Sequence, residues 1–187
     1  MGRSKPLLPV GGRTVLQQVL TALGAAELDK IFVVLGQGDQ LLADSLDGFP
    51  VSIIWNLARE SEMSDSLRVA LKALPPVDHG VMICLGDQPL IAATTYRRLA
   101  LEHLSRPDAI IQPQFGGRRG HPVLLPASIL REITNRSTLR DLLAAQASRV
   151  LRIEVDDPGI LMDLDTPADY RRTLHLWASR NHKKTVL

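Results

Sequence analysis

The chain has 187 residues, with 22 Lys and Arg against 20 Asp and Glu for a net charge of +2; that balance excludes a dedicated nucleic-acid binder and leaves small anionic substrates open. Hydrophobic residues at 45% and charged residues at 22% fit one folded globular domain rather than a disordered tail or a coiled coil. No apolar run reaches the roughly 18 to 20 residues of a membrane span, Met1 to Pro9 lack a secretory leader, and the lone Cys84 rules out an internal disulfide, so a cytoplasmic protein is expected.

Taken in chain order, helical spacing over Thr14 to Leu23 precedes a Val- and Ile-rich strand at Ile31 to Leu35. A helix over Gln40 to Leu46, a strand at Val51 to Trp55 and a helix over Asp65 to Leu74 follow, the last capped by Ser64 and ended by Pro75 and Pro76. Next come a strand at Val81 to Leu85, a helix over Thr94 to Leu104, and strands at Ala109 to Gln112 and Val123 to Leu125 with Gly116 and Gly117 between them. A helix over Leu139 to Ala147 after Ser137, a strand at Val150 to Val155 and a helix over Ala168 to Trp177 close the pattern. Alternating strands and helices with near-continuous apolar strands predict a three-layer α/β sandwich around a mainly parallel, mixed sheet. Residues 1–179 read as one domain, and 180–187 as a solvated basic tail.

Four segments carry candidate chemistry. Cys84-Leu85-Gly86-Asp87-Gln88-Pro89 follows an apolar strand, where ligands gather in open α/β sheets, and Asp87 there suits a hard divalent cation that bridges to phosphates. An Asp capping the next helix is the plainer alternative. Asp163-Leu164-Asp165-Thr166-Pro167 puts two carboxylates on one side if extended, although Asp165 or Thr166 could simply cap the helix opening at Pro167. Arg3 and Lys5 lie beside Gly2 in a stretch able to meet a triphosphate, without Walker spacing. Gly116-Gly117-Arg118-Arg119-Gly120-His121-Pro122 reads either as an anion-binding loop or as a hairpin turn with a solvated Arg pair. No nucleophile is spaced to pair with His121, and Cys84 reads as a buried small hydrophobe.

Together, Met1 to Pro9, Asn56 with Met63-Ser64-Asp65-Ser66-Leu67, Gly86-Asp87-Gln88-Pro89, Arg119-Gly120-His121-Pro122-Val123 and Asp163-Leu164-Asp165-Thr166-Pro167 resemble the molybdenum cofactor nucleotidyltransferases of the MobA-like NTP transferase family, from Met1 to about Tyr170. The resemblance implies a Rossmann-like sandwich of the nucleotide-diphospho-sugar transferase type. It also implies attack by a phosphate monoester on the α-phosphate of a nucleoside triphosphate, with Mg2+ and release of pyrophosphate. On that basis Asp87 and Asp165 are metal ligands, Lys5 with Arg3 contacts the triphosphate, and Asn56, Ser64, Ser66 and Gly86 belong to the nucleotide site. Arg119, Gly120 and His121 belong to the acceptor site. Lys-Pro-Leu-Leu-Pro with Arg-Gly-His-Pro is more similar to the cytidylyltransferase branch, which puts CTP before GTP and molybdopterin as the acceptor, with a molybdoenzyme or maturation chaperone as a partner. Where the family opens with an apolar strand and a Leu-Ala-Ala-Gly loop, this chain opens at Met1-Gly2, so a sheet lacking its first strand is expected. Glu62 and Ala70 stand where glycines are usual. A catalytically silent nucleotide-fold binding protein is the competing reading from another class.

Overall fold

The computed structural model describes residues 4–58, 63–76, 80–130 and 138–182. A 3-10 turn at Lys5–Leu7 leads into the short hairpin of β1 (Pro9–Val10) and β2 (Arg13–Thr14), whose Gly11 and Gly12 take positive φ. Then follow α1 (Val15–Ala25), β3 (Ile31–Gly36), α2 (Gln40–Asp44), β4 (Val51–Asn56), α3 (Met63–Ala73), β5 (Gly80–Ile83) and α4 (Ala93–Ser105). The remainder comprises β6 (Ile110–Phe115), β7 (Arg118–Arg119), β8 (Val123–Pro126), α5 (Ala127–Leu130), α6 (Leu139–Ala145), β9 (Val150–Glu154), a 3-10 turn at Pro158–Leu161 and α7 (Pro167–His182).

Adjacent strand residues feed opposite faces of the sheet, as a pleated backbone requires. Ile111, Leu124, Met82 and Cys84 pack with Leu16, Val19 and Leu20 of α1 and Tyr96 and Leu99 of α4. Their neighbours Ile110, Val123, Leu125 and Ile83 join Ile129, Leu139 and Leu142 of α5 and α6 on the other side. Apolar layers on both faces make this the expected three-layer α/β sandwich. The sheet is mixed: β3 with β4 and β6 with β9 are parallel, whereas β8 runs against both β5 and β6. That reversal comes from the hairpin at Gly116 and Gly117, both at positive φ, which returns the chain through β7.

Among the described residues the ladder is in two parts. One pairs β3 with β4, and the other joins β5, β8, β6, β7 and β9. One edge of β3 and one edge of β5 therefore have no strand partner there, although a single apolar cluster runs across both parts. Every residue of β5 keeps intermediate exposure, unlike the fully buried β8.

Capping chemistry fixes the helix starts. Thr14, Thr138 and Thr166 each accept from the backbone N–H three residues on, while Gln17, Asp141 and Asp169 reach back to the backbone N–H of the threonine. The helix at Leu139 is thus capped by Thr138; Ser137, the expected cap, lies outside the described residues. Nor is Ser64 a cap, because α3 already begins at Met63. The expected basic tail is helical through His182, and Arg180 donates to the Leu90 carbonyl and to Asp157; residues 183–187 lie outside the described set. No described helix is long and apolar enough to cross a membrane.

Amide exchange should expose the two-part ladder. Slowest exchange is expected in β6, held by β8 and β9 on either side, and fast exchange at the outward-facing half of the β3 and β5 amides. Equal protection of β5 and β6 by hydrogen-exchange mass spectrometry would contradict the open edge.

Candidate functional site

The strand directions decide what meets at one end of the sheet. Because β8 is antiparallel to β5, with Ile83 opposite Val123, the residues just before β8 lie beside those just after β5. His121 is thereby brought to Asp87. Since β9 is parallel to β6, its exit reaches the same end and delivers Asp163 and Asp165. The ladder ends at Ile83 rather than Leu85 because the residue that would oppose Cys84 is Pro122, which has no N–H to donate.

Local contacts hold these loops together. His121 donates its backbone N–H to the Ile160 carbonyl at 3.2 Å, and Gly120 donates to Pro113 at 3.0 Å. A Cβ on Gly120 would fall 2.3 Å from the Ile160 carbonyl oxygen, so this crossing requires glycine. No such crowding constrains Gly86, where a Cβ would meet only Leu16 Cδ1 at 3.5 Å. Leu164 is fully buried while Asp163 and Asp165 on either side are exposed, so the extended reading of this segment holds and both carboxylates leave the core together. The cap of α7 is Thr166, with Asp169 as its partner, which leaves Asp165 to a different role.

Lys5 reaches that role directly: its Nζ lies 2.9 Å from Asp165 Oδ1, with the Asp165 side chain largely in solvent and that of Lys5 partly so. This hydrogen bond is the main reason the Lys5 ammonium is held above its ordinary pKa, with Asp87 and Asp163 adding smaller attractions. The N-terminal segment is held from behind by α7, where Tyr170 Oη donates to the Pro9 carbonyl at 2.6 Å and Trp177 covers Gly11 so closely that a Cβ there would overlap the indole. Arg3 lies outside the described residues.

Asp87 is half-buried, and its carboxyl is raised above the ordinary value, first by burial and then by the negative charge of Asp163. A backbone hydrogen bond and Lys5 oppose the rise, and Asp165 adds to it more weakly than Asp163. Asp163, which sequence reading placed beside Asp165 without a ligand role, is thus the carboxylate that bears more strongly on Asp87. Its signal was the alternation around the apolar Leu164. Burial holds the His121 imidazole below its ordinary pKa against the pull of Asp163 and Asp87, so it is neutral at about pH 7. Cys84 is desolvated, with its thiol pushed up to about 12, as expected of a buried small hydrophobe and not of a nucleophile.

The other expected nucleotide residues lie on the β3–β4 side. Asn56, buried at the end of β4, donates to Ser66 Oγ at 3.3 Å and accepts from the Ala58 N–H at 3.1 Å. Ser64 sits in the first turn of α3, half-buried. Arg119 lies on the exposed β7 hairpin opposite Gln114, the hairpin form foreseen for this loop.

No group of three or more His, Cys, Asp or Glu side chains converges for a metal among the described residues. Two neighbouring carboxylates, one half-buried, instead suit a hard cation such as Mg2+ or Mn2+, which keeps most of its ligands as waters and substrate phosphates. The donor set fits a cation shared with a substrate.

The raised Asp87 carboxyl gives a signed prediction. Folding favours its protonated form, so that contribution is complete below the ordinary value of 3.8 and is lost as pH climbs through the raised one. Asp87→Asn should therefore unfold at a higher temperature than the wild type at about pH 7 without added metal, with the gap closing towards about pH 4. Thermal unfolding of both proteins across that range checks it, and a gap that widens in acid would reverse the sign.

Comparison with known proteins places this geometry. Nicotine blue oxidoreductase of Paenarthrobacter nicotinovorans is 26% identical, over 93% of this chain and 90% of the relative. The molybdenum cofactor cytidylyltransferase of Escherichia coli K12 is 25% identical, over 91% of this chain and 86% of the relative. Among solved structures, Rv0371c of Mycobacterium tuberculosis H37Rv in complex with manganese superposes with a TM-score of 0.75 at 27% identity, covering 93% of this chain and 94% of that one. The profile of the MobA-like NTP transferase domain matches residues 1–154, and the chain belongs to that family.

Proposed function

We propose that this chain transfers CMP from CTP to the phosphate monoester of molybdopterin, releasing pyrophosphate, in the cytoplasm and with Mg2+ as the divalent cation. The observation that carries the proposal is the convergence of Lys5, Asp87, Asp163, Asp165 and His121 at one sheet end, with a basic group and carboxylates facing each other across an open surface. Family membership supports nucleotidyl transfer. The choice of CTP and molybdopterin draws on likeness to the E. coli enzyme along most of both chains.

In the transfer, an oxygen of the acceptor phosphate attacks the α-phosphorus, and the bond from that phosphorus to the oxygen bridging to the β-phosphorus breaks. The bonding electrons leave with pyrophosphate. Asp87 and Asp163 would hold the cation, which when bound would supply positive charge to the phosphates. Lys5 leaves its solvent-exposed partner Asp165 for the phosphates of the nucleotide, where charge grows towards the leaving group. Exchange of one anionic partner for another costs little, because the Lys5–Asp165 pair is screened by water. With no positive charge of its own at about pH 7, His121 positions the acceptor phosphate by donating a hydrogen bond, while Arg119 on its exposed hairpin supplies the cationic contact. Asn56 and Ser66 hold the nucleoside end, and Gly86 leaves room for its backbone to approach.

Turnover tests the scheme. With CTP, molybdopterin and Mg2+, Asp87→Ala is expected to abolish pyrophosphate release without loss of fold by circular dichroism. Lys5→Ala is expected to lower the single-turnover rate on the order of 10²-fold and nucleotide affinity much less. A folded Asp87→Ala protein at wild-type rate would remove that residue from the mechanism. Equal loss of rate and affinity in Lys5→Ala would mean that it binds ground and transition states alike. Faster turnover with GTP would move the chain to the other branch, and nucleotide binding with no turnover on either nucleotide would favour a silent binding protein.

A further inference from the structure

Gln88 is the residue after Asp87, and it does something its neighbours do not. Gln88 is only 1% exposed, yet it is an amide set between the half-buried Asp87 and the apolar run Pro89, Leu90 and Ile91. Nε2 donates to Asp163 Oδ1 at 2.6 Å and to the Ile160 carbonyl at 3.3 Å. Both partners are acceptors, so the nitrogen end of the amide must face them. Oε1 is left buried with no hydrogen-bond partner. A Met or Leu filling the same volume would avoid that unpaired oxygen, which makes space-filling a poor account of why an amide stands here.

What the amide does accomplish is local and specific. Asp163 is exposed and would otherwise sample several rotamers in water. Gln88 holds one of its oxygens and leaves the other unclaimed by this contact. Because Gln88 is joined through a single peptide bond to Asp87, the contact links two carboxylates 76 residues apart, from Asp87 to Asp163. The Ile160 carbonyl that receives Gln88 also receives the His121 N–H, so the same node fixes the third loop of the site.

We propose that Gln88 is a positioning residue that sets the separation of the Asp87 and Asp163 carboxylates, so that they take one divalent cation together. The proposal rests on the reading of that pair as the cation site. Gln88 touches no cation itself; it acts through the Asp163 carboxylate, as groups behind metal ligands do, and the loss of such a partner typically lowers metal affinity about 10- to 100-fold.

Mn2+ alone, titrated into the full chain and followed by electron paramagnetic resonance, tests this without turnover. Five proteins are compared: wild type, Asp87→Asn, Asp163→Asn, Gln88→Met and the Gln88→Met/Asp163→Asn double variant, each with its thermal midpoint. The expected result is a loss of Mn2+ affinity of about tenfold or more in Gln88→Met that largely vanishes in the Asp163→Asn background. An unchanged affinity in folded Gln88→Met overturns the proposal, as does the same fold-loss in both backgrounds, which would mark Gln88 as a packing residue only. Should Gln88→Met fail to fold, Asp163→Asn decides alone, since its side chain is at the surface: wild-type affinity there overturns the proposal, and a loss of about tenfold or more supports it. If the wild type binds no Mn2+, or Asp87→Asn binds it equally well, the cation reading itself falls. If Asp87→Asn loses Mn2+ and Gln88→Met keeps it, only the role of Gln88 falls.

Discussion

The site end of the molecule depends on one buried carboxylate, that of Asp157. Its Oδ2 accepts from the Ala92 N–H at 2.8 Å and the Thr95 hydroxyl at 2.7 Å, which secures the first turn of α4. Oδ1 accepts from the Gly159 N–H at 3.0 Å and faces the Arg180 guanidinium at 3.4 Å, which brings in the 3-10 turn and the end of α7. A buried charge is tolerable only with its lone pairs answered, and these four donors answer it. Gly159 is drawn so near the Leu90 carbonyl that a Cβ would lie 2.5 Å from it. The turn thus presents the Ile160 carbonyl to the Gln88 and His121 loops, and the candidate site inherits its shape from a residue outside it.

Charge at the surface above that frame is arranged differently. Asp87, Asp163 and Asp165 crowd one another, and Lys5 relieves them only partly, through a pair open to water. Such an excess of acid is unfavourable in the empty protein and favourable when a cation and a polyphosphate arrive together. Buried acid satisfied on both oxygens from within and exposed acid held from within through one oxygen stand a few residues apart, at Asp157 and Asp163. The first serves folding, and the second is the one proposed to serve ligands.

How much of this was legible in the sequence varies with the range of the interaction. The β3, β4 and β8 segments announced themselves through Val, Ile and Leu content, most plainly β8, where burial of all four residues leaves little choice of side chain. Asp87 could be placed from its strand alone. The capping of α6 by Thr138 was written in Thr138-x-x-Asp141, yet the preceding Ser137 drew the eye, since either hydroxyl can cap and only the N3 partner tells them apart. Asp157 is marked locally only as the cap of the turn at Pro158, through the Gly159 N–H, whereas its bond to Ala92, that of Gln88 to Asp163 and that of Tyr170 to Pro9 span 65, 75 and 161 residues. Lys5 and Asp165 were each singled out for phosphate or metal, and their meeting across 160 residues could not have been foreseen from either motif.

The two-part ladder gives the site an uneven stiffness. Asn56 and Ser66 ride on β3, β4 and α3, whereas Asp87 and His121 belong to the five-stranded part. Among the described residues no backbone bond between strands joins these two bodies; α1 and the side chains of the shared core do. Dispersion contacts yield to sliding more readily than a hydrogen-bonded ladder, because they lack direction. The two ends of a bound nucleotide would then be gripped by jaws whose spacing is set by side-chain packing, and a ligand long enough to touch both would itself act as a crosspiece, stiffening the protein as it binds.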